Sequence, residues 1–376
     1  MTEYLTNNTD LKKVADAIRT KGGTSAALSY PDEYVSAINA ITTGTELKIV
    51  VSVTTGATVT ATKGGLSVSG ISANGTCTLV VPEAGTWSVN ATLNGKTSET
   101  KSVSFVDSYA LTISFVSATL NNNDWATIRQ VSDAGEGANY WSVGDRKAVT
   151  LNGTVGKLSL SNVTTYAFII GFNHNSSVEG ANRIHFQLAK TALSGGTDVA
   201  LCDSKYDSTV SATGYFSMNA SQTNSGGWAS SQMRTNICGT SLSSYSGKII
   251  AVIPAALRAV LKSVTKYTDN TAGSNWSESS ITATTDYFFL LSEFEVFGSI
   301  SRGNPYESDK QAQYAYYYAG NSKIKYKHNN TSTAVDWWLR SPVASGNYNF
   351  VCVYAGGTVR SPDALCSYGF APGFCV

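Results

Sequence analysis

Two glutamates, Glu293 and Glu295, stand two positions apart in the run SEFEVFG. Residues two apart on a strand face the same side, so both carboxylates would enter one cleft, the arrangement glycosidases use. The competing reading is a structural pair, the commoner fate of neighbouring carboxylates. The chain has three histidines, His174, His185 and His328. None stands in HExxH or another metal-ligand spacing, so no metal and no cofactor is expected. Six cysteines, Cys77, Cys202, Cys238, Cys352, Cys366 and Cys375, show neither CxxC nor zinc-type spacing. They read as free thiols filling small apolar sites. GxSxG and Walker patterns are absent, and no catalytic residue is assigned.

The tail offers a different chemistry, recognition by exchangeable side chains. It opens with DWWLRSP (336–342) and closes with GFAPGFCV (369–376). Between them, residues 343–368 contain no Lys, Gln, Glu, Met or Trp. A codon with two free letters followed by C or T cannot encode those types, yet it encodes every type present. The stretch reads as one randomised from asparagine codons, or as a Gly/Ser/Asn-rich surface loop, which also lacks long charged residues. If the opening motif is a strand, Trp337 and Trp338 point to opposite faces, one into the core and one beneath a binding face. The fork of Arg340 suits backbone carbonyls or a buried carboxylate, and the other reading of Trp337, Trp338 and Arg340 is purely structural. With Phe350 these residues form a scaffold, and Phe350, Val351 and Val353 read as core anchors. Tyr354, Gly356, Thr358, Arg360, Ser361, Pro362, Asp363, Leu365 and Cys366 read as outward positions. Val343, Gly346, Tyr348 and Cys352 are further ligand-binding candidates of less defined register. Tyr354, Arg360 and Tyr348 have the residue types that dominate binding surfaces.

This frame resembles the variable proteins of diversity-generating retroelements, found in phages and bacteria and built on a C-type-lectin-like fold. GGWASSQMRT (226–235), IPAALRAVLKSVTKYTDN (253–270), DYFFLLSEFEVFG (286–298) and QYAYYYAGNSKIKY (313–326) resemble the same domain. That domain is common in phage tail proteins and related to the formylglycine-generating-enzyme fold. DWATIRQVSDAGEGANYWSVGDRKAVTLNG (124–153) looks like its beginning, so the resemblance covers 121–376. It implies a phage tail-tip receptor-binding protein, carried on the virion, whose diversified surface binds a bacterial surface protein or glycan. It also implies a homo-oligomer, since tail-tip proteins are commonly trimers. The calcium motifs EPN, QPD and WND of sugar-binding lectins are absent, and Asn304-Pro305-Tyr306 lacks the carboxylate a hard cation needs. The domain is therefore expected to fold and bind without metal. Cys366 and Cys375 match no reactive-cysteine motif of the formylglycine enzymes. Two other functions stay open: a tail-associated glycan or cell-wall hydrolase using Glu293 and Glu295, and a structural baseplate subunit without variable binding.

The elements that must position these residues follow from composition and pattern. Charged residues make up 14 % of the chain and the net charge is +1. So small a charge argues against nucleic acid as the partner, and 42 % apolar residues argue against disorder. No apolar run approaches the ~20 residues a membrane span needs. The first residues lack a signal-peptide pattern, so synthesis in the cytoplasm and release within a particle is expected.

The chain reads as multidomain. Residues 1–43 form a short helical segment. One helix starts at Leu11, is capped by Thr9 or Asp10 and stops at Gly22-Gly23; its apolar positions are Leu11, Val14, Ala15 and Ile18. A second covers 31–41, with Tyr34, Val35, Ile38 and Ile41 on one face. So small a core implies attachment to other tail or baseplate proteins, or oligomerisation. Residues 45–118 carry six strand-like runs (48–53, 58–62, 76–81, 86–93, 101–105 and 111–115) and read as an immunoglobulin-like β-sandwich. Residues 121–376 read as an α+β C-type-lectin-like domain. Strands are expected at 166–172 and 183–188, helices at 254–264 and around 309–318, and 288–296 is an apolar run carrying Glu293 and Glu295.

Overall fold

In the computed structural model the described residues are 8–22, 26–39, 46–273 and 276–376. The chain divides into two compact units, Met1–Phe115 and Val116–Val376. The boundary thus falls at 115–116, a few residues before the expected 118–121.

The first unit begins with helices α1 (Asn8–Gly22) and α2 (Asp32–Asn39). Asp10 in the first turn of α1 and Arg19 and Lys21 in its last complement the helix dipole. Ala15, Ile18 and Tyr34 make a small buried cluster. The Tyr34 hydroxyl donates to the Leu11 carbonyl at 2.6 Å. The expected apolar faces are divided, because Val14, Val35 and Ile38 are exposed. Gly23 and Ile41 lie outside the described residues.

Eight strands follow: β1 (Lys48–Ser52), β2 (Thr58–Lys63), β3 (Leu66–Ile71), β4 (Thr76–Val80), β5 (Gly85–Leu93), β6 (Lys96–Thr97), β7 (Lys101–Phe105) and β8 (Tyr109–Thr112). One sheet has the order β4-β1-β8; in the other β3, β2 and β5 are neighbours, and β6 and β7 both pair with β5. Strict alternation in β1, β2, β4 and β5 sends Ile49, Val51, Val59, Ala61, Leu79, Trp87 and Val89 into one core. Asn74 and Asn94 adopt left-handed φ values of 51° and 50° ahead of glycine, as the Asn-Gly turns require. Strands β3 and β6 were not expected. Strand β3 is exposed or half-buried along its length, so no hydrophobic alternation marks it.

The second unit mixes helix and sheet, with sheet predominant. Helix α3 (Trp125–Asp133) is capped by Asp124, which accepts from the Thr127 amide at 2.7 Å. Its strands are β9 (Arg146–Val155), β10 (Leu158–Phe172), β11 (Ile184–Lys190), β12 (Val199–Ala200), β13 (Val264–Asp269), β14 (Ile281–Asp286) and β15 (Phe288–Phe289). Then come β16 (Lys325–Lys327), β17 (Asn330–Val335), β18 (Trp337–Pro342), β19 (Phe350–Val353), β20 (Val359–Arg360) and β21 (Gly373–Cys375). A five-stranded antiparallel sheet has the order β15-β21-β11-β10-β9, and a separate antiparallel sheet has the order β18-β19-β20.

Three expectations fail here for local reasons. The helix expected over 254–264 is one turn, Ala255–Arg258. The Arg258 side chain donates to the carbonyls of Ile250, Ala251 and Ile253, and Val264 already pairs with Asp286 in β13. Leu257, Val260, Leu261 and Val264 are buried as expected, but a turn and a strand bury them. The run 288–296 is not the strand that would face Glu293 and Glu295 the same way. Ser292 starts a helix, Glu293–Phe297, in a reciprocal capping box with Glu295. Finally, 309–318 divides into a 3₁₀ turn, Pro305–Asp309, and a helical turn, Ala315–Tyr318.

Candidate functional site

All six residues of β18 are buried. The indoles of Trp337 and Trp338 leave on opposite faces, and both faces are core. Trp337 Nε1 donates to the Lys323 carbonyl at 2.9 Å and Trp338 Nε1 to that of Phe216 at 2.8 Å. Arg340 finds both partners its fork suits. It donates to the Leu290 carbonyl at 2.9 Å and grips Glu295 with two nitrogens. Lys266 donates to the same carboxylate at 2.8 Å, to Glu179 at 2.7 Å and to the Tyr314 hydroxyl at 2.8 Å. Burial alone would raise the Glu295 carboxyl, but Arg340 and Lys266 hold it well below its ordinary range.

Glu293 belongs to a different network. It accepts the backbone amides of Ser301 (2.8 Å), Arg302 (3.2 Å) and Gly303 (2.7 Å). The helix turn between the two glutamates replaces the shared strand face that would have aimed both at one cleft.

The segment after β18 is gripped by its main chain. Asn224 Nδ2 donates to the carbonyls of Val343, Gly346 and Asn349 at 3.3, 2.8 and 3.1 Å. The Asn224 amide donates to the Asn347 carbonyl at 2.9 Å. Further along, the amides of Asn219, Val210 and Asp207 donate to the carbonyls of Ala364, Leu365 and Ser367. Asp336, just ahead of β18, accepts the Ala355 amide at 2.8 Å and pairs with Arg360 at 2.7 Å. Each of these clamping groups lies outside 343–366.

What projects from this grip is a short face. Tyr348, Tyr354, Gly356, Thr358 and Arg360 are exposed; Gly346, Ser361, Asp363 and Cys366 are half-buried. The Arg360 guanidinium sits 5.6 Å from the centre of the Tyr354 ring. Gln222 donates to Asp363 at 2.5 Å. Tyr348, Tyr354 and Thr358 make no side-chain hydrogen bond among the described residues. Phe350, Val351 and Val353 are buried, as core anchors should be.

Four candidates do not face outward. Cys352 is fully buried because β19 is the middle strand of its sheet and both its faces are covered, so alternation exposes nothing. Val343 closes a turn against the core, its amide donating to the Asn349 carbonyl at 3.0 Å. Pro362 is buried, and its carbonyl accepts the Phe350 amide at 3.2 Å. Leu365 is buried where the Val210 amide holds its carbonyl.

Sequence reasoning missed Asn224, Gln222 and the clamping role of Asp336. Asp336 stood inside the framing motif, and its place ahead of a buried strand was the available signal. Asn224 carried none, since its partners lie more than a hundred positions away.

Residues 207–376 match a family model described only as a domain of unknown function (DUF6273). The match takes in both the clamping segment 207–224 and the tail it holds. No curated protein matches the chain. No solved structure matches it either.

Proposed function

We propose that the second unit is a C-type-lectin-like ligand-binding domain of a phage tail-tip adhesin. Its displayed face is Tyr348, Tyr354, Gly356, Thr358, Arg360, Ser361 and Asp363, with Gly346 and Cys366 at the margin. One observation carries this reading: residues outside segment 343–366 hold it through its main chain, while exposed Tyr348, Tyr354 and Thr358 make no side-chain hydrogen bond among the described residues. Side chains can change on such a surface without changing its shape. That is the requirement for a paratope, and equally for a segment rewritten by a diversity-generating retroelement. Tyrosine at two exposed positions supplies rigid amphipathic contact area for a bacterial surface protein or glycan. In this reading the sandwich of the first unit is an immunoglobulin-like spacer, and its helices attach the protein to the particle or to further copies. Among the described residues no helix is long and apolar enough to cross a membrane.

The test is comparative and biochemical. Sister genes should differ mostly at the exposed positions of 343–366, by changes reachable from AAC or AAT codons. A Tyr354→Ala, Thr358→Ala double variant should stay folded and lose adhesion to the present host. Variation spread evenly over the domain, or Lys, Glu and Gln arising freely at these positions, would reduce the reading to a fixed adhesin. Undiminished adhesion of the double variant would remove the face from the binding role.

A further inference from the structure

His174, Glu179 and His185 converge in the interior, away from any residue used above for display. His174 follows β10, Glu179 ends the helical turn Ser176–Glu179, and His185 lies on β11, where it pairs with Gly171 of β10. They are 7 %, 3 % and 0 % exposed. One donor atom from each lies within 4.8 Å of the other two.

The hydrogen bonds around them leave nitrogens unaccounted for. His174 Nε2 lies 2.9 Å from the Ala312 carbonyl, which can only accept, so Nε2 carries the proton. Nδ1 faces Glu179 Oε1 at 3.2 Å, off the line of a hydrogen bond. A ring nitrogen and a carboxylate oxygen facing each other in a buried space need a cation between them, a proton or a metal. His185 Nδ1 is engaged by the Tyr314 hydroxyl at 3.0 Å and lies 3.3 Å from the Cys375 thiol, while its Nε2 has no partner. Lys266 takes the other Glu179 oxygen at 2.7 Å and leaves Oε1 turned toward the imidazole.

We propose that His174, Glu179 and His185 form a structural binding site for a divalent transition-metal cation, with zinc the expected occupant. Two imidazoles and a carboxylate are a recurrent zinc donor set, and such mixed nitrogen and oxygen donors do not suit calcium. Donors ~2.1 Å from a tetrahedral zinc stand about 3.4 Å apart. Glu179 Oε1 stands 3.2 Å from His174 Nδ1, close to that separation, and a donor atom of His185 lies within 4.8 Å of both residues. The surroundings have the outer contacts that orient metal ligands. A carbonyl fixes the distal nitrogen of His174, and Lys266 holds the distal oxygen of Glu179. The His174 ring is also stacked on Tyr314 at 3.7 Å. Burial of all three donors closes the site to substrate, so its role is to staple β10, β11 and the intervening turn. This departs from the metal-free domain expected from the sequence.

The full chain is produced in medium supplemented with zinc or with cobalt, and bound metal is measured by elemental analysis. Near-stoichiometric zinc is expected, with a melting temperature lowered by 1,10-phenanthroline. The cobalt form should show the visible d–d bands of a low-symmetry four-coordinate site. Glu179→Gln keeps an oxygen for Lys266 and removes the charged metal donor; it and His174→Ala should lose nearly all bound metal. Circular dichroism distinguishes that loss from unfolding. Trace metal in folded wild-type protein, with a melting temperature indifferent to the chelator, overturns the proposal and leaves a His174 imidazolium paired with Glu179. Undiminished metal in folded Glu179→Gln and His174→Ala protein overturns it as well.

Discussion

Strand β18 and the turn between β19 and β20 belong to one sheet and are held in opposite ways. In β18 the side chains do the holding: two indoles and a guanidinium each find a hydrogen-bond partner, and all six residues are buried. In the turn the backbone is held and the exposed side chains of Tyr354 and Thr358 are released, while exposed Arg360 alone pairs back, to Asp336. A protein can therefore fix the course of a segment without specifying its side chains, provided residues elsewhere satisfy its amides and carbonyls. The comparison yields a graded series of effects.

The largest effect belongs to β18. Trp337→Ala should cost ~3–5 kcal/mol, as truncation of a buried aromatic does. Arg340→Leu should cost a similar ~3–5 kcal/mol, because Glu295 would stay buried with Lys266 as its one remaining cation. Thermal melting of each variant checks this, and a melting temperature close to wild type would erase the contrast.

Next comes the main-chain grip. Asn224→Ala strands the Gly346 carbonyl and removes one of two donors from those of Val343 and Asn349, and a cost of ~1–3 kcal/mol is expected. Amide hydrogen exchange should speed up across 343–349 while β18 keeps its protection. Uniform acceleration would mean that Asn224 supports the whole domain rather than the segment.

A third effect depends on pH. Burial raises the Glu307 carboxyl from 4.5 to about 7, against the opposing bonds from the Ser341 hydroxyl and the Asp269 amide and the nearby charge of Arg340. The adjacent Asp269 carboxylate adds to the rise, and Gln311 donates to the same carboxyl. The folded state then holds a proton that the unfolded chain has released, so this stability is complete below 4.5 and lost as pH rises through about 7. Melting temperature should therefore fall as pH rises through about 7, and Glu307→Gln should flatten that limb.

The smallest effects belong to the exposed face. Tyr354→Ala and Thr358→Ala should change stability by no more than ~0.5 kcal/mol. Arg360→Ala should cost more than either, because Asp336 is 3 % exposed and would lose its cation. Equal melting temperatures for Arg360→Ala and Tyr354→Ala would show the Asp336 pair to be idle.

The sequence made legible what repeats at short range. Alternation located most strands of the first unit's two sheets, and Asn-Gly pairs located turns between them. It failed where tertiary bonds overrode local pattern, as when Ser292 and Glu295 closed a capping box in an apolar run. It also failed where burial was two-sided: Cys352 kept its place in the alternation, but its strand had no open face. The charge network was beyond reach for a different reason. Lys266 meets Glu179 across 87 positions and Glu295 across 29, and no spacing rule connects them. The exposed positions from Tyr354 to Arg360 were readable because composition, not periodicity, marked them.

One pairing in the first unit bears on how the chain would behave under load. Strands β1 and β8 are neighbours and run parallel, Ile49 beside Tyr109 through to Ser52 beside Thr112. A pull that draws Lys48 and Thr112 apart runs along both strands, so it shears their hydrogen bonds together instead of unzipping them singly. Rupture under such tension is set by the unfolding rate rather than by equilibrium stability. A module wired this way behaves as a stiff link, resisting tugs far better than its modest size would indicate.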